Sequence, residues 1–572
     1  MKIHEFVVRA LVLPSLFALT SGVAQANVKL PNIFGDHMVL QRDAEVPLWG
    51  WADPGEQVTV SAANQTALAT AGQDGKWIAK LKKMAASDTP IEVTVAGKNT
   101  IVLKDVLIGD VWVCSGQSNM EFDLSRTSSV ADEVPKVLDG QLRLFLVPKA
   151  IAPKPAQDIA AAQLRGEGSW QVCSPDTSVG ERTWMGFSGI GYYFGKNIHA
   201  ATGKPVGMIG SYWGGSPAQA WTSLEALKPV PALKIYTDEG VDSSAVLEKF
   251  LETRSTVAIP EWNAAMEKWD IDNKAAMETY VAASKQWVAD AKQAVAENKP
   301  LPSTPKPVPP RVPRLDSGKN QGMPAGPFNA MIAPIIPYGI KGAIWYQGEA
   351  NALNPVLYRT LFPTMITDWR ARWGQGDFPF LFVQLANFTP GKSDAASDKW
   401  ALLREAQAQT LALPNTGMAV TLDIGEAADI HPKDKWDVAL RLALAARHIA
   451  YGEEIAFSGP LYKAMTTEAG QIRIQFDHAE GGLVICAPPE HFHPGEPRAA
   501  ASELLGFTIA GADLKFVPAK AKIDGDKVVV SSEAVPSPVA VRYAWADSPI
   551  ANLYNKQGLP AAPFRTDTDS PQ

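Results

Sequence analysis

The sequence predicts an α/β protein whose parallel sheet carries helices on both faces and is flanked by β-sandwich-like modules. Three observations lead there. Residues 30–105 alternate short apolar runs with turn signals, with no helical stretch between them. Between residues 106 and 453, strand-length apolar runs alternate with helix-length segments, the rhythm of a covered parallel sheet. From about residue 454 the short runs return, and Asp524-Gly525-Asp526 marks a hairpin. A chain of 572 residues is long enough for several domains.

Taken in order, residues 1–26 read as a secretory signal peptide. Lys2 and Arg9 supply the basic start, residues 10–23 an apolar stretch broken by Pro14, and Ala24-Gln25-Ala26 the small-residue cleavage site. The mature chain is expected to start at Asn27, outside the cytoplasm (secreted or periplasmic, in a bacterium). No later run is long and apolar enough to insert in a membrane once the signal is removed. Residues 27–105 form the N-terminal β-sandwich. Runs 46–51, 58–62, 77–81 and 91–96 are punctuated by Asp53-Pro54-Gly55, Asp74-Gly75 and Gly97-Lys98-Asn99.

The α/β domain spans 106–453. Run 106–114 leads into a helix beginning at Ser118, 207–212 into 216–227, and 341–346 into 355–373. Run 378–385 then leads into 399–412, and 418–423 into 435–451. An insertion at about 228–315 breaks the rhythm. There Pro260 suits a first helical turn, and Trp262, Met266, Trp269, Ala276, Tyr280, Trp287, Ala291 and Val295 recur at helical spacing. That stripe reads as a packed seam rather than a sugar platform. A proline-rich strap over 300–313 returns the chain to the core. Residues 454–572 form the C-terminal β-rich module, with runs 472–476, 483–486, 506–509, 514–517, 528–531 and 539–543.

Hydrophobic content of 46% and charged content of 20% describe an ordinary globular protein. A net charge of -7 argues against a nucleic-acid partner and is compatible with a neutral sugar. Cys114, Cys173 and Cys486 are odd in number, so at least one thiol stays free of internal pairing. Cys114 lies on an apolar run and reads as a buried thiol, with a Cys114–Cys173 bridge left open.

In a parallel sheet, chemistry gathers in the loops leaving the strand C-termini. Four such loops carry unusual residues. Ser115-Gly116-Gln117-Ser118-Asn119 ends the first run and puts Ser118 at a helix start, where a nucleophilic hydroxyl meets the partly positive helix end. Met120 stands where G-x-S-x-G needs its second glycine, so the nucleophile-elbow motif is not matched, and a cap serine explains the turn equally well. Ser211-Tyr212-Trp213-Gly214-Gly215-Ser216 offers glycines whose N–H groups can approach a ligand. Gln347-Gly348-Glu349-Ala350-Asn351 supplies neutral donors, with Glu349 able either to orient one of them or to cap a helix. Asp429-Ile430-His431-Pro432 holds the one histidine of eight that just follows a predicted strand and leads into a helix, the place for a general base. His491 and His493 have no zinc-type cluster around them and read as loop histidines, so no metal site is expected.

The chain resembles the sialate O-acetylesterase family of SGNH-type hydrolases. The resemblance rests on residues 115–121, 213–221, 328–334, 342–351 and 429–435, and on 540–545 and 559–565. It implies an SGNH-type sheet and a carbohydrate O-acetylesterase, with no metal or organic cofactor. The implied substrate is an acetylated glycan, either a plant-type polysaccharide or O-acetylated sialic acid. Ser118 would attack the acetyl carbonyl and His431 would carry the proton. The Ser118 N–H, a glycine N–H from Gly214 or Gly215 and the Gln347 side chain, with Asn351, would hold the oxyanion. SGNH enzymes place the orienting Asp three residues before the His. Ala428 stands there, so Asp429 is the expected acid, with Asp423, Glu426 or a backbone carbonyl as alternatives. Sialate recognition would favour an arginine clamp on the carboxylate, for which Arg126, Arg165 and Arg182 are candidates. Two other readings compete: a catalytically silent carbohydrate-binding protein, and a serine esterase or lipase acting on apolar esters.

Overall fold

The computed structural model describes residues 27–129, 133, 139–162, 166–174, 186–237, 259–296, 318–388, 399–479, 481–487 and 501–567. The expected signal peptide, the proline-rich strap, His491, His493, Arg165 and Arg182 lie outside the described residues.

The N-terminal strands are β1 (Val39–Gln41), β2 (Val46–Trp51), β3 (Gln57–Ala62), β4 (Gln65–Thr70), β5 (Lys76–Leu81) and β6 (Ser87–Ala96). Alternation sets their faces: in β5, Trp77, Ala79 and Leu81 are buried and the residues between them are exposed. The next strand, β7 (Thr100–Gly116), runs 17 residues and serves two sheets' worth of partners. Its first part pairs antiparallel with β6 and has a half-exposed pattern, whereas every residue from Val106 to Gly116 is buried. That change is the passage from a one-sided antiparallel sheet to a parallel sheet covered on both faces. The expected divide at residue 105 falls inside this strand, where Asp105 adopts φ +54°.

The central sheet adds β8 (Asp139–Leu146), β9 (Trp170–Cys173), β10 (Val206–Tyr212), β11 (Gly342–Tyr346), β12 (Phe380–Val383) and β13 (Thr416–Ala419). Its order is β13-β12-β11-β7-β10-β8-β9, and all neighbours are parallel except the edge pair β8–β9. The helices are α1 (Ser118–Glu121), α2 (Gly189–Thr202), α3 (Leu224–Leu227), α4 (Ile259–Ala296), α5 (Pro355–Trp373), α6 (Lys399–Gln409) and α7 (Lys435–Ile449). Side-chain alternation along β12 shows that both faces are covered. Phe380 and Phe382 meet Phe362 of α5, while the intervening Leu381 lies with Ala445 and Ile449 of α7 around Gly417.

Several elements differ from expectation for identifiable reasons. The helix expected over 118–125 is one α-turn followed by a 3-10 turn at Leu124–Arg126, where Asp123 caps the Ser125 N–H. The helix expected over 216–227 is a 3-10 turn at Ala218–Trp221 plus the short α3. Helix α2 and strands β8 and β9 carry no clear sequence signal. In α2, Gly191 and Gly195 lower helix propensity but allow close packing: a Cβ at 191 would lie 2.9 Å from the Cys114 sulfur, and one at 195 would lie 2.8 Å from Leu142. In the insertion, Trp269, Met277 and Tyr280 of α4 form a small buried cluster and Trp287 is buried, whereas Ala276 of the expected stripe is exposed.

Among the described residues the C-terminal region holds two four-stranded antiparallel sheets and one strand pair. Lys520–Asp524 and Lys527–Ser531 form the expected hairpin, with Gly525 at φ +68° in its two-residue turn. Of the run at 514–517 only Val517 lies in a strand, and Leu514 sits at φ +53°. Arg404 of α6, fully buried, ties this region to the core by donating to the carbonyls of Leu385, Ala386, Ala546 and Asp547. Cys114, Cys173 and Cys486 are buried, and burial pushes the free Cys114 thiol up to about 12. No described helix is long and apolar enough to cross a membrane.

Candidate active site

The site begins where β7 ends. Gly116 adopts φ +136°, and a Cβ there would lie 2.2 Å from the Tyr346 carbonyl oxygen, so only glycine fits the close approach of β11. Gln117 donates its N–H to that same oxygen and accepts the N–H groups of Met120 and Glu121, which closes α1. Ser118 therefore occupies the first helical position, at the C-terminal edge of the sheet. A single turn has little dipole, so the local N–H groups matter more than the helix as a whole.

His431 arrives from the loop between β13 and α7. Its Nε2 lies 2.8 Å from Ser118 Oγ, across 313 positions of sequence. Burial, then the positive charge of Lys435, lowers the imidazole below its usual 6.5. The ring is therefore neutral near pH 7, the state in which Nε2 accepts a hydroxyl proton. The Phe122 ring stacks beside it at 6.4 Å, and the exposed Arg126 guanidinium lies 4.2 Å from the Phe122 centroid.

The acids are placed differently from one another. Asp429 Oδ1 accepts the His431 backbone N–H at 2.9 Å and stands 3.8 Å from Nδ1, too far for a hydrogen bond to the ring. With only Ile430 between the two residues, the carboxylate closes the local turn instead of reaching the imidazole. Asp423 is bound by the Arg441 guanidinium at 2.6 and 2.8 Å, and Glu426 accepts the Lys433 N–H.

The expected oxyanion donors separate as well. Trp213 to Ser216 form a β-turn closed by Ser216 N–H to the Trp213 carbonyl, with Gly215 at φ +75°. Gly214 lies against the serine: a Cβ there would sit 3.4 Å from Ser118 Cβ. Its N–H, however, donates to Glu121 Oε2 at 2.6 Å, and Glu121 is paired through its other oxygen with Lys149. The Ser118 and Gly215 N–H groups are not committed to any acceptor among the described residues. Gln347 is fully buried. Its Nε2 donates to Asn351 Oδ1 at 2.7 Å and its Oε1 accepts from Tyr358. Asn351 in turn accepts the Ala218 N–H and donates to Gln219. Gln347 and Asn351 thus each commit one amide N–H to this network, which holds the loops together.

Sequence reasoning missed four site residues. Asn119 and Lys435 meet beside the histidine loop, and Glu121 and Lys149 meet at Gly214. Asn119 and Glu121 stand next to Ser118 in the sequence, and Lys435 stands four positions after His431. Their neighbourhood was therefore legible, but their pairing across loops was not. Glu349, expected to orient Gln347 or Asn351 or to cap a helix, accepts from Asn119 at 2.5 Å, and its carboxyl also takes backbone hydrogen bonds from Gly348 and its own N–H at the start of the Glu349–Asn351 turn. Among the described residues no cluster of His, Cys, Asp and Glu is arranged to hold a metal.

The chain is similar to known proteins in sequence and in fold. Residues 328–450 match the family model described as carbohydrate esterase, sialic acid-specific acetylesterase. The crystal structure of a carbohydrate acetylesterase from Xanthomonas citri is 35% identical, with a TM-score of 0.73, and the match covers 95% of this chain and all of that one. The sialate O-acetylesterase of Mus musculus is 27% identical over 599 residues, 96% of each chain. That of Homo sapiens is 28% identical over 486 residues, 79% of this chain and 77% of the other. Fold and relatives together define an ester hydrolase of the carbohydrate O-acetylesterase class. Within that class, the chain belongs to the sialate O-acetylesterase family.

Proposed function

We propose that the protein releases acetate from O-acetylated glycans through an acetyl-enzyme on Ser118. The observation that carries this reading is the 2.8 Å contact between Ser118 Oγ and His431 Nε2. His431 takes the hydroxyl proton as Oγ attacks the acetyl carbonyl, and the C–O bond to the sugar breaks as the same imidazole protonates the departing sugar oxygen. Water, deprotonated by His431, then attacks the acetyl-serine, and Ser118 leaves with the proton. The developing oxyanion is held by the Ser118 and Gly215 N–H groups, each such donor contributing about 3 kcal/mol in sites of this kind. Asp429 acts on the imidazolium through space rather than through a hydrogen bond. No cofactor takes part in any of these steps.

The substrate in this reading is an acetylated plant-type polysaccharide or its oligosaccharides, in keeping with the negative net charge. One observation favours O-acetylated sialic acid as a second reading: the Arg126 guanidinium on Phe122, beside His431, is placed to meet a substrate carboxylate. Residues 1–26 support action outside the cytoplasm. The reading also keeps modules at 27–105 and 454–572 around a catalytic region at 106–453.

The experiment is acetate release from acetylated xyloglucan, xylan and O-acetylated sialosides by the purified protein and by Ser118→Ala. Release by the wild type and none by the variant supports the reading. Equal background release by both would favour a silent binding protein, and faster turnover of long-chain esters would favour a lipase.

A further inference from the structure

Among the described residues no carboxylate is hydrogen-bonded to Nδ1 of the catalytic histidine, so something else must hold the ring toward Ser118. The residue next to Ser118 bridges three elements. Asn119 Nδ2 donates to the Ile430 carbonyl at 2.9 Å, one residue before His431, and to Glu349 Oε1 at 2.5 Å. Its Oδ1 accepts from Lys435 Nζ at 2.6 Å, at the start of α7. Lys435 is fully buried, and its ammonium lies 4.9 Å from the Phe122 centroid and 5.4 Å from the Tyr346 centroid. One amide thus ties the nucleophile's helix, the histidine loop and the Glu349–Asn351 turn together.

We propose that Asn119, held between Glu349 and Lys435, is the positioning residue for His431, supplying the orientation that a carboxylate hydrogen bond to Nδ1 would otherwise give. The proposal rests on the Ser118–His431 reading above. Asn119 fixes the Ile430 carbonyl relative to Ser118, and that fixes the backbone from which the imidazole projects. Lys435 fixes the acceptor end of the amide, which prevents the side chain from turning over, because only the oxygen can accept from an ammonium.

The charges around the pair agree with this. Burial pushes Lys435 down to about 7, opposed by Glu349 from its turn, Asp434 beside it, and Asp429 and Glu426 from the histidine loop. Burial raises Glu349. His431 faces Lys435 and Arg126, which disfavour its protonation, and Asp429 and Glu121, which favour it. In the acidic range where His431 titrates, Lys435 carries its proton, so it holds the imidazole in its basic, neutral form.

The test is steady-state deacetylation of p-nitrophenyl acetate across pH, with Ser118→Ala as the reference. Asn119→Ala is expected to lower kcat about 100-fold with KM nearly unchanged, the scale of a base displaced by about an ångström. Should that variant fail to fold, the isosteric Asn119→Asp keeps the acceptor for Lys435 and loses the donor to Ile430, and the same loss is expected. Lys435→Met is expected to move the acid limb of kcat/KM to higher pH, because a positive charge opposing imidazole protonation is gone. A purely structural role would lower the amount of folded enzyme and leave the pH profile of what remains unchanged. If Ser118→Ala is inactive while the folded Asn119 and Lys435 variants keep the wild-type kcat and pH profile, the proposal is overturned and the serine reading stands. If Ser118→Ala keeps its activity, both fall.

Discussion

Replacing Asp429 by Asn separates two roles for the carboxylate. Asn keeps the oxygen that accepts the His431 backbone N–H, so the turn survives and only the charge is lost. That charge stands 3.8 Å from Nδ1, with the two side chains 44% and 32% exposed. Two unit charges at about 4 Å are worth about 1 kcal/mol in water and about 4 kcal/mol near a protein surface. Exposure on both sides keeps the value near the lower figure. About 1 kcal/mol on the barrier is roughly a five- to tenfold loss of kcat/KM. Losing an acid truly hydrogen-bonded to the base costs about 10,000-fold. The assay is acetate release at saturating and limiting substrate, with circular dichroism to confirm folding. A loss beyond a thousandfold in folded Asp429→Asn would refute the through-space role and show that the carboxylate reaches Nδ1 during turnover.

Three further outcomes are expected. The kcat/KM profile should keep its activity below pH 6.5 and lose it as pH falls through the lowered His431 value, because the protonated ring cannot accept the Ser118 proton; a midpoint above 6.5 counts against the burial argument. Lys149→Ala leaves the Glu121 carboxylate unneutralised at Gly214, beside the developing oxyanion, and should slow turnover about tenfold, with Glu121→Gln restoring most of it in the double variant. Gly116→Ala forces a side chain onto the Tyr346 carbonyl and should lower both Tm and activity, measured by thermal melting and acetate release.

How much was legible in the chain follows from what each signal reports. The α/β rhythm after residue 106 reads directly, because strands buried on both faces are continuous apolar runs, as in Val111–Cys114 and Phe380–Val383. Helix α2 did not read, because its glycines are chosen for contact with Cys114 and Leu142 rather than for helix propensity. Ser118 and His431 could be picked out because loops after parallel strands converge on one edge of the sheet. The partners of Gln347, Asn351 and Glu349 could not. Each is a polar residue in such a loop, and whether it faces substrate or a neighbouring loop depends on contacts with Gln219, Tyr358 and Asn119 that sequence spacing does not encode. The same holds for Asp429, whose separation from His431 permits either a ring contact or a backbone turn.

The account turns on where the acetyl group goes. Mixing the enzyme with p-nitrophenyl acetate, quenching in acid within one turnover and mapping the peptides by mass spectrometry locates it directly. One acetyl group on the peptide holding Ser118, absent in Ser118→Ala, is the predicted result. An acetyl group on another residue, or turnover that survives in the Ser118→Ala protein, would contradict it.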